Sequence, residues 1–324
     1  MKKVLILFSK SDWKTSTPPK DKAYRYSYEY FYTLCRKNNI QVYRASYEWY
    51  DFKKKIFKYA WIFESAGNNW QRVRNIKPDF IYDKTKARPE IFYKKDLIGL
   101  DYPFINHLEF TKIVDNKYTN SLMFFRWSKK AWLAHNQKEM KKIIRSIKTS
   151  KIVLKPLRQS GGEGVQILNK ADASKCPNFN QTHLLQEFID SSEGVPGVVK
   201  GIHDLRLIMV NNELIYSLIR QPAKGSYLAN LAQGGTVTFI PLNKVPRSVF
   251  PIINQAKKLF ESFRPRIFSI DVMFDKKKKP WVVELNSMPG LYFSPKGNRY
   301  MEKMYAALLK VFQARLKDLS GKKI

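Results

Sequence analysis

The sequence predicts a mixed α/β protein: a small N-terminal α/β domain with a parallel sheet over residues 1–104, then an α+β region that is mostly strands from residue 151. Two observations carry this. Before residue 104, short apolar runs alternate with helical periodicity, the pattern of strand–helix–strand units. From residue 151 the pattern changes to a succession of short strands separated by turns. The 324 residues, 44% of them hydrophobic, are enough for more than one core.

The elements follow in order. Val4–Phe8 reads as a buried strand. Tyr24, Tyr28, Phe31, Tyr32 and Cys35 recur at helical spacing, and Gln41–Arg44 is a second strand. Residues 48–64 are read as helix, and Asp79–Tyr82 as a strand after Pro78. Asn116–Trp132 is read as helix with Tyr118, Leu122, Phe125 and Ala131 on one face, and Lys138–Ile147 as a second helix. Strands are expected at 151–155, 164–168, 183–187, 205–210, 213–220, 236–240, 267–274 and 281–286, with a helix at 248–263. A closing helix near 300–318 carries an apolar stripe of Met304, Leu308, Val311, Phe312 and Ala314, read as core packing.

The chain carries 59 Lys and Arg against 27 Asp and Glu, a formal net charge of +32. Such a field attracts polyanions, whereas dispersed lysines also fit a plain compositional habit. Val4–Phe8 is far too short to span a membrane, and MKK plus five apolar residues lacks the apolar stretch and cleavage site of a signal peptide. Cys35 and Cys176 are isolated, so neither a disulfide framework nor a cysteine metal site is expected. The expectation is a soluble cytoplasmic protein without membrane insertion.

LKPLRQSGGEGVQIL, residues 154–168, joins two predicted strands through a glycine-rich turn. Gly161, Gly162 and Gly164 let backbone N–H groups approach an anion, and Lys155 on the preceding strand can neutralise it. No Gly-Lys-Ser/Thr follows and no helix opens there, so this is neither a P-loop nor a dinucleotide fingerprint. A flexible hairpin satisfies the same pattern.

IFSIDVMFDKKKKPWVVELNSMPG, residues 267–290, reads as a hairpin. Pairing Phe274 with Trp281 across its turn sets Asp271 opposite Glu284, with Asn286 on the same face as Glu284. Carboxylates that close repel one another. A divalent cation held by Asp271, Glu284 and the Asn286 carbonyl relieves this, as does pairing with lysines or exposure to solvent.

Lys155 with SGGEGV, then QEFI (186–189), DLR (204–206), Arg220, NLAQGG (230–235) and Asp271 with ELNSMPG resemble, in order and spacing, the ATP-grasp ligases. The likeness is closest to bacterial glutathione synthetases and to ligases that add glutamate to ribosomal protein tails. DNKYTNSLMF (115–124) is similar to the family's Asp-Lys helix. The resemblance covers about residues 105–292 and implies an ATP-grasp fold, in which two α+β subdomains, 105–185 with the glycine-rich lid and 186–324 with the metal site, would clamp ATP. It implies that ATP is held by Lys117, Lys155, Ser160, Gly161, Gly162, Gly164, Gln186, Glu187, Ile189, Glu193 and Asn230. Asp271, Glu284 and Asn286 would bind two magnesium ions, with manganese as a substitute. Arg206 and Arg220 would stabilise the transferring phosphoryl group and the tetrahedral intermediate, unless they serve as surface ion pairs with Asp204.

The implied reaction joins a carboxylate donor to an amine acceptor (amino acid, peptide or acidic polymer) through an acyl phosphate. Leu228 stands where related ligases carry an arginine, with Lys224 as the nearby substitute, and LYFSPKGNRYMEKM lacks their threonine-glycine stretch. The competing expectation is a catalytically silent ATP-grasp protein that binds a polyanion. Nucleic-acid binding would rest on charge and on aromatics such as Trp70, without a recognisable motif. Related ligases also make a homo-oligomer an expectation.

Overall fold

Strand β1 (Lys2–Phe8) forms because Val4–Leu7 offers no polar side chain to water, and all four residues are fully buried. The computed structural model describes residues 1–9, 19, 21–85, 89–158, 162–173, 181–227, 229, 234–291, 293 and 297–321. After β1 comes α1 (Lys22–Lys37), whose N-cap Asp21 accepts from the backbone N–H groups of Ala23 and Tyr24. Then follow β2 (Ile40–Ser46), β3 (Tyr50–Asp51), β4 (Ile56–Glu64), β5 (Asn69–Ile76), β6 (Phe80–Asp83), α2 (Pro89–Gly99), β7 (Phe104–Ile105), α3 (Leu108–Val114) and α4 (Lys117–Met123). The chain continues with β8 (Ala131–Ala134), α5 (Gln137–Ser146), β9 (Lys151–Pro156), β10 (Gln166–Asn169), β11 (His183–Glu187), β12 (Asp204–Val210), β13 (Glu213–Gln221) and β14 (Thr236–Ile240). It ends with α6 (Phe250–Leu259), β15 (Ile267–Phe274), β16 (Pro280–Asn286) and α7 (Asn298–Gly321).

Contacts divide the chain into two units. The first comprises Met1–Glu109, Phe263–Ile267 and Met288–Ile324. Its sheet has a parallel centre in which β1 pairs with β2 and β6, and β6 with β7. The expected parallel sheet is only part of it: β3, β4 and β5 extend it with antiparallel pairs. Residues 48–64 are accordingly not helix. After a single 3-10 turn, β4 places Phe57, Tyr59, Trp61 and Phe63 at the period of a strand, and the turn after Glu64 folds β5 back on it. Trp70 on β5 is buried, donates Nε1–H to Glu29 (2.7 Å) and packs its ring on Tyr32 and Phe63, so it is core rather than an open platform for bases.

Residues 288–324, placed by the sequence reading in 186–324, group by contact with this first unit. In α7, Tyr305 stacks on Phe31 at 4.6 Å and bonds Ser27 through its hydroxyl, while Phe312 meets Phe31, Phe80 and Tyr82. The predicted stripe is buried at Met304, Leu308, Val311 and Phe312, whereas Ala314 is exposed.

The second unit comprises Phe110–Ser262 and Phe268–Ser287. It contains a four-stranded sheet, β10-β9-β11-β8, and a five-stranded sheet, β14-β13-β12-β15-β16. The predicted helix 116–132 ends at Met123, and Ala131 begins a strand. Asn116 caps the helix, and its buried face is Lys117, Asn120 and Phe124; Leu122 and Phe125 are 57% and 69% exposed. This phasing turns a lysine inward, against hydrophobic expectation.

Candidate functional site

The second unit contains an open cleft with about 800 Å³ of space, walled by both of its sheets. Val153 and Lys155 come from β9, Gln186 and Glu187 from β11, Asp204 from β12, Met273 from β15, and Val283 and Glu284 from β16. Gly162, Phe188, Ile189 and Tyr227 complete the wall used below. Gly162 and Gly164 have φ of 75° and 73°, a backbone region in which a side chain would be strained. Ser160, Gly161, Leu228 and Asn230 lie outside the described residues, as does Cys176.

The charged groups sit on one face of the five-stranded sheet. Asp204 and Arg220 are cross-strand partners on β12 and β13, and Asp271 and Glu284 on β15 and β16. The last pair is the expected one, reached by a different route. Phe274 pairs with Pro280 and Met273 with Trp281, and a bulge between Asp271 and Val272 restores Asp271 opposite Glu284.

Asp271 is completely buried. Arg206 donates to it through Nε (2.8 Å) and Nη2 (2.5 Å), and Arg220 through Nη2 (2.8 Å). Burial raises the Asp271 carboxyl, but the two guanidiniums outweigh it and hold it below the usual carboxylate range. Desolvation opposes the Arg206 charge, and Asp271 more than restores it, raising that guanidinium above its ordinary value. The alternative of ion pairs with Asp204 is met by Arg220, whose Nη2 donates to Asp204, whereas Arg206 pairs with Asp271. Asp204 Oδ1 and Arg220 Nε have no hydrogen-bond partner among the described residues. Burial pushes the Asp204 carboxyl up to about 7; Arg220 lowers it, and Asp271 and Glu284 add to the rise.

Two lysines approach from the other side. Asp115 accepts from the backbone N–H and hydroxyl of Ser287, both at 2.8 Å, tying the end of the β16 segment to the start of α4. Lys117, two residues on, then reaches Glu284 at 3.8 Å. Lys155 Nζ donates to the carbonyl of Val283 at 3.4 Å. Burial pulls the Lys155 ammonium down to about 8, with Glu284 opposing and Lys117 adding to the shift.

The hinge residues occupy the cleft wall with distinct partners. Gln186 donates to the carbonyl of Lys129 (3.3 Å), Glu187 accepts from the backbone N–H of Lys148 (3.3 Å), and Ile189 is buried. Glu193 is exposed and is not brought to the wall. Sequence reasoning missed an aromatic element. Phe188 and Tyr227 meet edge-to-face at 5.5 Å, with Lys151 Nζ 4.1 Å over the Tyr227 ring. An aromatic directly after the QE pair and one inside KGSYLANL were the available signals.

The metal expectation meets a mixed donor set. The crowding of carboxylates that argued for a cation is met here by two guanidiniums. Glu284 remains accessible, with its side chain 20% exposed. Asn286 directs Nδ2 toward both Asp271 (3.4 Å) and Glu284 (3.2 Å), so its amide must turn to present oxygen. Among the described residues no three His, Cys, Asp or Glu side chains form a metal-holding group. The hard oxygens of Glu284 and a turned Asn286 suit magnesium when phosphate oxygens supply the rest.

Residues 127–302 match the family model described as a RimK-like ATP-grasp domain. A probable alpha-L-glutamate ligase of Vibrio vulnificus (strain YJ016) is 30% identical over 163 residues, covering 49% of this chain and 49% of that relative. The chain thus spans about half the length of the curated relatives it matches. Among solved structures, a RimK domain ATP-grasp protein from Sphaerobacter thermophilus matches with a TM-score of 0.60 at 12% identity, covering 94% of this chain and 98% of that one. D-alanyl-alanine synthetase A from Vibrio cholerae matches with a TM-score of 0.62 at 13% identity, covering 96% and 98%. These structural likenesses establish a shared fold. No helix among the described residues is long and apolar enough to cross a membrane.

Proposed function

We infer that this chain, which belongs to the RimK-like ATP-grasp family, is an ATP-dependent ligase joining the carboxylate of an amino acid or peptide to an amine. The observation that carries the reading is a linked cluster of Lys117, Lys155, Arg206 and Arg220 with Asp204, Asp271 and Glu284, of which Lys155, Asp204 and Glu284 line the cleft. Four cations against three carboxylates leave an excess positive charge, which suits a triphosphate.

A donor carboxylate oxygen attacks the γ-phosphorus as its bond to the β-phosphate oxygen breaks. ADP leaves and an acyl phosphate remains. The amine nitrogen then attacks the acyl carbon, phosphate departs, and the nitrogen loses a proton. The chain's own contribution is positioning and charge neutralisation. Lys155 and Lys117 take the phosphates, and the Gly162–Gly164 turn offers backbone N–H groups. Gln186, Glu187 and Ile189 hold the base, and Asn230 and Ser160 belong to the same nucleotide set. Arg220 has a free Nε–H to offer the moving phosphoryl group without breaking its existing pairs among the described residues. Glu284, Asn286 and Asp271 would hold magnesium, which neutralises phosphate charge when bound.

The test is ADP release from Mg-ATP across a matrix of carboxylate donors and amine acceptors, acidic peptides included, with Glu284→Ala as the blank. Release that needs one donor–acceptor pair and disappears in the variant is expected. Release that persists in Glu284→Ala, or no Mg-ATP binding by the wild type, contradicts the reading.

A further inference from the structure

Strand β5 is the edge of the first unit's sheet. It pairs with β4 alone, and among the described residues no strand covers its outer side. Natural edges of this length are usually blunted, because their unpaired N–H and C=O groups accept any passing strand. Here the edge carries Arg72 and Arg74, two residues apart on one face and both exposed.

Neither arginine forms an ion pair among the described residues. Both are instead laid over aromatic rings. The Arg72 guanidinium lies 4.1 Å from the Tyr59 ring centre and 5.8 Å from that of Trp49, and Arg74 lies 5.6 Å from Tyr59. Trp49 and Tyr59 brace one another edge-to-face at 6.0 Å. Stacking fixes a guanidinium's plane and leaves its N–H edges for an anion.

We propose that the β5 edge docks an acidic peptide as an added strand. The peptide would lie beside Asn69–Arg74, exchanging backbone hydrogen bonds with the edge and presenting carboxylates from alternate residues to Arg72 and Arg74. Alternate side chains on a strand repeat at about 6.6–6.8 Å, the interval at which the two arginines stand. Asn75, with φ of 56°, breaks the extended backbone and ends the docking stretch. Charge complementarity favours this occupant, since the chain's formal charge is +32. Nucleic acid fits less well. Arg72 lies over the Tyr59 ring and Trp70 is buried, so neither of these rings beside the charge is an open stacking platform. The inference stands apart from the ligase reading, because it requires no turnover.

The experiment is fluorescence anisotropy on the full chain without ATP. The probes are a labelled ten-residue peptide of alternating Glu and Thr, the same peptide N-methylated at alternate amides, and a ten-residue oligothymidylate. Wild type is expected to bind the first peptide with an affinity that falls as salt rises. The double variant Arg72→Glu/Arg74→Glu should bind it at least about 10-fold more weakly while binding Mg-ATP as wild type does. N-methylation should cost a similar factor, because it removes the backbone pairing that charge alone does not need. Equal binding by the variant, equal binding of the N-methylated peptide, no peptide binding, or tighter binding of the oligothymidylate each overturns the proposal.

Discussion

Each unit of this molecule buries charge, and the two do so differently. In the first, Asp83 and Lys95 form a 2.7 Å ion pair with both side chains completely buried. The second Asp83 oxygen accepts from the backbone N–H and hydroxyl of Thr85, and Lys95 also lies 4.4 Å from the Phe92 ring centre. That group is small, neutral and closed. In the second unit, five charged side chains on one sheet face meet two lysines from other elements beside a cleft, with Asp204 Oδ1 and Arg220 Nε left unpartnered among the described residues. Burial there pulls Lys155 down to about 8 and pushes Asp204 up to about 7. A satisfied buried pair is architecture. A cluster that leaves buried hydrogen-bonding capacity unmet beside a cleft holds free energy that a ligand can release.

The sharpest way to break this contrast is to remove one lysine from each unit. Lys95→Met strands the Asp83 carboxylate in a dry interior and should cost about 3–5 kcal/mol in chemical denaturation. Lys155→Met removes a cation that folding desolvates, and should leave stability unchanged or raise it by ~1–3 kcal/mol near pH 7. The sign follows from the lowered value. Below about pH 8 the folded state carries the full cost of the buried ammonium, and that cost fades as pH rises from there toward the ordinary lysine range. Equal losses in the two variants would erase the distinction between the units.

A smaller effect sharpens it. The Asp204 carboxyl is raised, so the folded state keeps a proton that the unfolded chain gives up. This group therefore lowers stability progressively from about pH 4 to about pH 7 and contributes no further change above. Asp204→Asn should show a stability advantage over wild type that grows across that window by ~2 kcal/mol, read from denaturation midpoints at each pH. A constant difference would mean that Asp204 is ionised throughout, as a closed pair with Arg220 would be.

The sequence carried the cluster further than it carried the surrounding fold. Asp271, Glu284 and Asn286 were legible because strand parity and a short turn fix which residues face each other, even though the bulge after Asp271 moved the pairs near the turn by one. Arg206 and Arg220 were legible as a set, but not their partners, since order within a sheet is set by topology: β15 lies beside β12 and so delivers Asp271 to Arg206. Residues 48–64 misled because Lys53–Lys55 interrupts the apolar pattern just before β4, and the strand is visible only with its partner β5. Helix α2 had no clear signal: Ile91, Phe92 and Ile98 are buried, yet its apolar residues do not gather into a single stripe. Tyr227 and Phe188 were passed over because an aromatic ring in a loop has no periodicity to mark it.

The measurement that tests the central claim most directly is a calorimetric titration of Mg-ATP into wild type and Lys155→Met, repeated from pH 7 to pH 9.5. The account predicts saturable binding by wild type that weakens as pH rises through about 8, as Lys155 loses its proton. It predicts binding at least about 10-fold weaker in the variant, with little remaining pH dependence over that range. Indistinguishable titrations of the two proteins at pH 7 would contradict it, and would make the charged face of the second unit as purely architectural as the Asp83–Lys95 pair.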